Sequence, residues 1–269
     1  MSSFLFFVGH DVLVAQGPDG ASPLLSREGP AGRALDGLAA AVELRRDFTE
    51  GRAPCSALML GEAQAEAALR LEPGLSRIAL RDALGCAPAG DLGSLLKGAA
   101  LLRWLETARF CGSCGSPLAD EGPLSPHPGG RGCSACGRVF FPRISPAVIL
   151  LIRKGPRALL AHNARFKAGS FGLIAGFVEA GETLEQAAER EAREEAGIGI
   201  RDLRYVKSQP WPFPDSLMVA FKAEWASGEA RPDGVEISEL RWCLPSELPS
   251  IPPKGSVARS LIDEFREGG

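Results

Sequence analysis

The chain has 269 residues and carries 30 Lys and Arg against 33 Asp and Glu, a formal net charge of −3. Hydrophobic residues make up 45% and charged residues 23%, which is ordinary for a globular chain long enough for two domains, or a large one plus a small one. This balance excludes a global attraction to nucleic acid or to an anionic membrane, while leaving room for a local basic pocket.

The first segment, MSSFLFFVGHDVLVAQ, alternates as two strands interrupted at Gly9-His10-Asp11. It lacks the basic region and cleavage site of a signal peptide, and no apolar run approaches the roughly 20 residues of a membrane span. The C-terminal REGG carries no targeting signal. A soluble, cytoplasmic protein without membrane contact is expected. Residues 1–105 are rich in Ala, Leu, Gly and Arg, with strand-like SALMLGEA and helical AQAEAALRL and SLLKGAALLRWLETARF, so an N-terminal α/β domain is expected there.

Residues 106–143 hold four of the seven cysteines. Cys111 and Cys114 form one Cys-x-x-Cys pair, Cys133 and Cys136 a second, and the spacer suits a zinc ribbon. Four thiolates close a tetrahedral Zn²⁺ shell, so the metal is expected to be structural, with Gly112, Gly115 and Gly137 serving the tight turns. Cys55, Cys86 and Cys243 are scattered and read as free thiols. The competing reading is a nucleic-acid-binding ribbon. Against it stand few basic residues (Arg109, Arg131, Arg138, Arg143) and no aromatic platform beyond Phe140 and Phe141. His127 is a ligand in principle, but four Cys suffice.

From residue 144 to 269 the pattern changes to apolar strands (PAVILLI, RALLA, SLMVAFKAEW) around one charged helix over 183–196, and GSVARSLIDEFRE closes the chain as an amphipathic helix. In GFVEAGETLEQAAEREAREEAGI, Glu191, Glu194 and Glu195 stand at i, i+3 and i+4, sharing one helix face. Ala188, Ala192 and Ala196 form a small-residue stripe beside them, and Gly197 is placed to end the helix. Hard oxygen ligands at this density suit Mg²⁺ or Mn²⁺. The bland alternative is a solvated Glu/Arg helix.

The stretch SQPWPFPDS places Pro210, Pro212 and Pro214 around Trp211 and Phe213. Proline fixes φ and removes a donor, so the segment is expected as a rigid loop rather than a helix interior or a central strand. Such a loop presents aromatic faces to a flat ligand at low entropic cost, with Gln209, Asp215 and Ser216 offered to amide and ribose edges. The alternative is a core-capping turn with Trp211 buried.

The segment 176–198 resembles the Nudix box, G-x₅-E-x₇-R-E-U-x-E-E-x-G-U; every fixed letter matches, and Ala192 at the first bulky apolar position U is the one departure. With SQPWPFPDS starting eleven residues after Gly197 and a four-cysteine knuckle before the box, residues 107–269 resemble the NADH pyrophosphatase subfamily of Nudix hydrolases. The spacer between cysteine pairs is a few residues longer than usual there. The resemblance implies an α+β fold: a Nudix mixed β-sheet flanked by helices, preceded by a zinc ribbon and the N-terminal α/β domain. It implies metal-dependent hydrolysis of the pyrophosphate of NADH or NAD⁺ to nicotinamide mononucleotide and AMP, and removal of NAD caps from RNA 5′ ends.

By resemblance, Glu191, Glu194, Glu195 and Glu236 hold Mg²⁺ or Mn²⁺, with Glu239 the runner-up to Glu236 and Ala175 offering a backbone carbonyl. Glu182 and Arg190 are the pair that fixes the helix geometry, and Glu194 or Glu195 accepts the proton of the attacking water. Phe141, Ala258 and Arg81 are implied substrate contacts beside residues 209–216, and the subfamily implies a homodimer. The rivals are a Nudix hydrolase for another dinucleotide, such as ADP-ribose or a diadenosine polyphosphate, and a zinc-ribbon nucleic-acid-binding protein with a degenerate Nudix domain. The intact glutamates speak against the latter.

Overall fold

The structure is a computed structural model that describes residues 3–17, 20–30, 32–33, 45–50, 53–118 and 130–268. His127 and most of the spacer between the cysteine pairs lie outside the described residues. The chain divides into two compact units, Met1–Arg143 and Ile144–Gly269.

The first unit is built on strands β1 (Ser3–Val8), β2 (Asp11–Gly17), β3 (Gly20–Ser22), β4 (Leu25–Ser26), β5 (Arg45–Glu50), β6 (Ala53–Met59) and β7 (Leu75–Ala79). Helices α1 (Glu62–Leu71), α2 (Leu80–Cys86) and α3 (Leu92–Thr107) belong to it. The expected strand pair at the N-terminus is an antiparallel hairpin, Phe7 opposite Val12, turning at Gly9 with φ +59°. β1 also pairs in parallel with β6, so the sheet is mixed. Alternation splits β1 between two faces. Phe4, Phe6 and Val8 join Ala65 and Ala68 of α1 in one core, while Leu5 and Phe7 approach Gly98 of α3. A side chain at 98 would press on Leu5, Ala57 and Phe7, so glycine there lets α3 settle close to the sheet. This is the α/β arrangement expected for the N-terminal region.

The cysteine segment adds a small antiparallel ladder of β8 (Arg131–Gly132) and β9 (Val139–Phe140). Arg131 is buried, donates to the carbonyls of Leu105 (3.0 Å) and Ala108 (2.6 Å), and lies over the Trp104 ring. It anchors the ribbon to α3.

The second unit contains β10 (Ser145–Lys154), β11 (Arg157–Asn163), β12 (Ile174–Phe177), β13 (Gly199–Trp211), β14 (Ser216–Ser227) and β15 (Ile237–Cys243), with helices α4 (Leu184–Ala196) and α5 (Val257–Arg266). The sheet order is β13-β14-β10-β11-β15, with β12 also paired to β10; only the β10–β14 ladder is parallel. β10 is apolar on both faces because both are covered. Val148, Leu150 and Ile152 pack with Ala187, Ala188, Ala192 and Ala196 of α4. Ile149 and Leu151 pack with Val257, Leu261, Ile262 and Phe265 of α5. The alanine stripe lets α4 lie close on the sheet, which carries its glutamates to the sheet surface.

Two elements differ from the sequence expectation. Ser208–Trp211 is not loop but the end of β13, with Pro210 opposite Leu217 and Trp211 opposite Ser216. β13 is an edge strand, where proline's missing donor faces no partner strand. Ile237–Cys243, read only as a source of carboxylates, is the opposite edge strand β15.

Candidate active site and metal centres

The box folds as strand, loop and helix. Thr183 caps α4, its hydroxyl accepting from the Gln186 N–H, while the Gln186 side chain accepts from the Thr183 N–H. Gly197 ends the helix with φ +68°, a left-handed conformation that glycine adopts without strain. Between these caps, burial separates the three glutamates. Glu191 and Glu195 are 8% and 7% exposed, flanking Ala188 and Ala192 on the packed side of α4. The Glu194 side chain is 61% exposed. The expected shared face thus has two carboxylates at the sheet and one at its rim.

Arg190 organises the cluster. Its Nε donates to Glu182 Oε1 at 2.6 Å and one Nη to Glu182 Oε2 at 2.9 Å, a two-pronged pair. The same guanidinium donates to Glu191 Oε1 (2.7 Å), to Glu194 Oε2 (3.0 Å) and to the Phe177 carbonyl (2.9 Å). Glu182 also accepts from the Glu179 N–H at 2.9 Å, so it clasps the box loop to the helix. The Arg190 pair holds the Glu182 carboxyl down at about 2. Gly176 on β12 lies where any Cβ would collide with the Glu191 carboxylate. The glycine of the box is therefore room for a carboxylate.

Glu195 differs from its neighbours. Among the described residues its carboxylate accepts one hydrogen bond, from the Ala175 N–H at 3.3 Å. Burial, then the Glu191 charge, push its carboxyl up to about 8, with Glu236 and Asp233 adding to the rise against that single N–H. Burial likewise raises Glu191 against the pull of Arg190. A buried carboxylate with one long hydrogen bond, beside other carboxylates, is an oxygen donor set short of positive charge. Its chemistry fits a hard divalent cation such as Mg²⁺ or Mn²⁺.

The remaining site candidates fall in several places. Ala175 is on β12 beside Gly176, and its N–H is the group that meets Glu195. Glu236 is exposed on the connection into β15, and its charge reaches both Glu191 and Glu195. Glu239 is on β15 itself, where it accepts from Arg241 at 2.6 Å. Sequence reasoning passed over Asp233; its signal was an Asp-Gly turn three residues before Glu236.

In the proline segment, Trp211 and Phe213 are half-buried and meet edge to face, centroids 5.0 Å apart and planes at 60°. Pro212 and Ser216 are buried, Asp215 is half-buried and Pro214 exposed. The Ser145 N–H donates to the Asp215 carbonyl at 2.8 Å. Gln209 is committed inside the unit: its amide donates to the Gly255 carbonyl at 2.7 Å, and its Oε1 accepts from the Val257 N–H at 2.7 Å. It fastens the start of α5, where Ala258 lies, to the edge strand. The sequence offers the Gln209 amide to a ligand; here both of its ends are taken within the unit. Phe141, 52% exposed, and Arg81 on α2 belong to the first unit.

The cysteines form the second centre. All four sulfurs lie within 4.8 Å of one another, with Cys111–Cys136 at 3.6 Å and Cys114–Cys133 at 3.5 Å. A tetrahedron of Zn–S bonds has edges of ~3.8 Å, so the donor set fits Zn²⁺ closely. Gly115 (φ +75°) and Gly137 (φ +74°) close the two knuckle turns, each N–H donating to the first cysteine's carbonyl. Gly112 takes no such conformation. Hydrogen bonds from Ser116 lower the Cys114 thiol, while, against the pull of the Arg138 N–H, burial and the neighbouring cysteine sulfurs raise Cys136. Arg131 and Arg138 are engaged within the first unit, Arg138 donating to the Ser113 hydroxyl at 2.7 Å. That weakens the reading of the ribbon as a nucleic-acid surface.

The NUDIX domain pattern matches residues 142–265. A crystal structure of a NUDIX hydrolase from Nitrosomonas europaea superposes with a TM-score of 0.50 at 25% identity, covering 60% of this chain and 93% of that one. The NAD-capped RNA hydrolase NudC of Chromobacterium violaceum is 44% identical over 183 residues, 68% of each chain. The NAD-capped RNA hydrolase NudC of Photobacterium profundum is 46% identical over 166 residues, 61% of this chain and 60% of its own. The aligned region thus spans about two thirds or less of these relatives' length. A complete box folded as strand, loop and capped helix, with a sulfur tetrahedron in the same chain, accords with these likenesses: the chain belongs to the Nudix hydrolases, in the NADH pyrophosphatase subfamily of the NudC proteins.

Proposed function

We propose that this protein hydrolyses the pyrophosphate bond of NAD(H), free or as the 5′ cap of an RNA, releasing nicotinamide mononucleotide and an adenosine 5′-phosphate end. The observation that carries the reading is the pair of buried carboxylates on α4, Glu191 and Glu195, which also feel the charge of Glu236. The names of the NudC relatives support the substrate class.

In this reading Glu191, Glu194, Glu195 and Glu236, with the Ala175 carbonyl, hold Mg²⁺ or Mn²⁺. The bound cations supply neutralisation of the pyrophosphate and a more acidic water. The chain's own part is electrostatic and geometric. Glu182 and Arg190 fix the box loop on the helix, so the carboxylates are presented without reorganisation. Glu195 or Glu194 takes the proton of the attacking water. Trp211 and Phe213 offer a preformed aromatic corner to a base or nicotinamide, with Asp215, Ser216 and Ala258 as further substrate contacts of the same unit. Gln209 shapes this region by fastening α5. Zinc on Cys111, Cys114, Cys133 and Cys136 is structural, because four thiolates leave no open position. A homodimer in the cytoplasm completes the proposal; among the described residues no helix is long and apolar enough to cross a membrane.

The test is purified protein with NADH, NAD⁺ and NAD-capped RNA under Mn²⁺ or Mg²⁺, products separated by chromatography, beside Glu195→Gln. Mononucleotide products from the wild type and nearly none from the variant are expected. Turnover confined to ADP-ribose or a diadenosine polyphosphate would keep the family and overturn the substrate.

A further inference from the structure

Glu236 lies on the connection between β14 and β15, residues 228–236, and its side chain is exposed. A carboxylate on a surface connection contributes to a site only when its backbone is fixed. Here three backbone N–H groups converge on one neighbouring side chain. Asp233 Oδ1 accepts from Val235 (3.2 Å), Glu236 (3.2 Å) and Ile237 (2.8 Å), and Oδ2 also accepts from Glu236 at 3.2 Å. Gly234, at φ +74°, closes the turn, its N–H donating to the Ile237 carbonyl at 3.0 Å.

The same connection is tied at two further points. The Ala164 N–H donates to the Glu236 carbonyl at 2.9 Å, and the Arg231 N–H donates to the Ala196 carbonyl at the end of α4, also at 2.9 Å. The peptide units on both sides of the Glu236 Cα are therefore held. One contact joins the segment directly to the helix that carries Glu191 and Glu195.

We infer that Asp233 is a positioning residue for the catalytic centre: by gathering the N–H groups of residues 235–237 onto one carboxylate oxygen, it fixes where Glu236 meets the glutamates of α4. The inference rests on the proposed role of Glu236 as a metal ligand. Asp233 acts through the backbone of Glu236 and holds no metal itself. Because Oδ1 takes one bond from each of the three donors, an amide oxygen at the same place does the same work.

Mn²⁺ binding to the full chain, without substrate, tests this through the electron paramagnetic resonance signal of free Mn²⁺. Asp233→Ala is expected to weaken Mn²⁺ affinity about tenfold, whereas Asp233→Asn stays near wild type, and Glu236→Gln weakens it at least as much as Asp233→Ala. The double variant Asp233→Ala/Glu236→Gln is expected to be no weaker than Glu236→Gln alone. Wild-type affinity in Asp233→Ala beside weakened affinity in Glu236→Gln overturns the inference and leaves the metal reading standing. Equal losses in Asp233→Ala and Asp233→Asn also overturn it, because charge rather than positioning is then at work. Wild-type affinity in Glu236→Gln removes the metal reading, and the inference with it. Asp233 is exposed, so Asp233→Ala is expected to fold; if it does not, Asp233→Gly removes the same acceptor and takes its place in the comparison.

Discussion

Replacing Gly176 by Ala separates folding from function at one atom. Gly176 lies on β12 opposite Val148 of β10, and its φ lies outside the left-handed region, so alanine suits the backbone. In a strand interior that exchange is worth roughly 0.5–1 kcal/mol in favour of alanine. The added Cβ, however, falls inside the Glu191 carboxylate. The carboxylate is the far end of a flexible side chain, so it yields and the strand does not. To regain ordinary van der Waals distance it must retreat by roughly 1.5 Å. That retreat displaces the Glu191 oxygen that accepts from Arg190 at 2.7 Å. Misplacing a catalytic group by about 1 Å can cost ~10²-fold in rate, or about 2.7 kcal/mol of transition-state stabilisation. The expected result is a fall in kcat/KM for NADH of about 10²-fold or more, with a Tm within a few degrees of wild type. Steady-state kinetics and calorimetry on the same preparation measure both. Near-wild-type kcat/KM would refute the reasoning, and so would a collapse of the Tm.

Three further outcomes follow from the same geometry. In metal-free protein the folded state holds the Glu195 proton more tightly than the unfolded chain, so stability is full below about pH 4.5 and is lost as pH rises through about 8. The drop is on the order of 3 kcal/mol after allowance for residual solvent screening. Glu195→Gln or saturating Mn²⁺ should flatten it, and a flat wild-type denaturation profile would rule it out. Zinc should copurify at about one ion per chain and be lost, with a lower Tm, in Cys114→Ser; metal analysis finding zinc undiminished in that variant would contradict the assignment. Gln209→Ala removes two hydrogen bonds that hold the start of α5 and should cost about 2 kcal/mol in urea denaturation, an expectation that an unchanged midpoint would dismiss.

Proline and charge patterns explain where sequence and structure part. SQPW reads as loop because proline cannot serve a central strand, yet β13 is an edge, where the missing donor has no consequence. β15 is an alternating strand whose outward positions, Glu239 and Arg241, pair with each other and disguise it as a charged surface segment. Gln209 reads as a ligand group because no local pattern reveals that α5, nearly fifty residues later, takes both ends of its amide.

The spacing of residues along the chain by itself determined the four-thiolate centre, the helix with Glu191, Glu194 and Glu195 on one side, and the glycine that ends it. These follow from helix periodicity and short turns, which act over a few residues. Only the tertiary structure decided which carboxylates are buried, that Arg190 binds three of them at once, that Gly176 exists to admit Glu191, and that Asp233 braces Glu236. Those properties depend on burial and electrostatic fields summed over strands and loops distant in sequence, which no window along the chain contains.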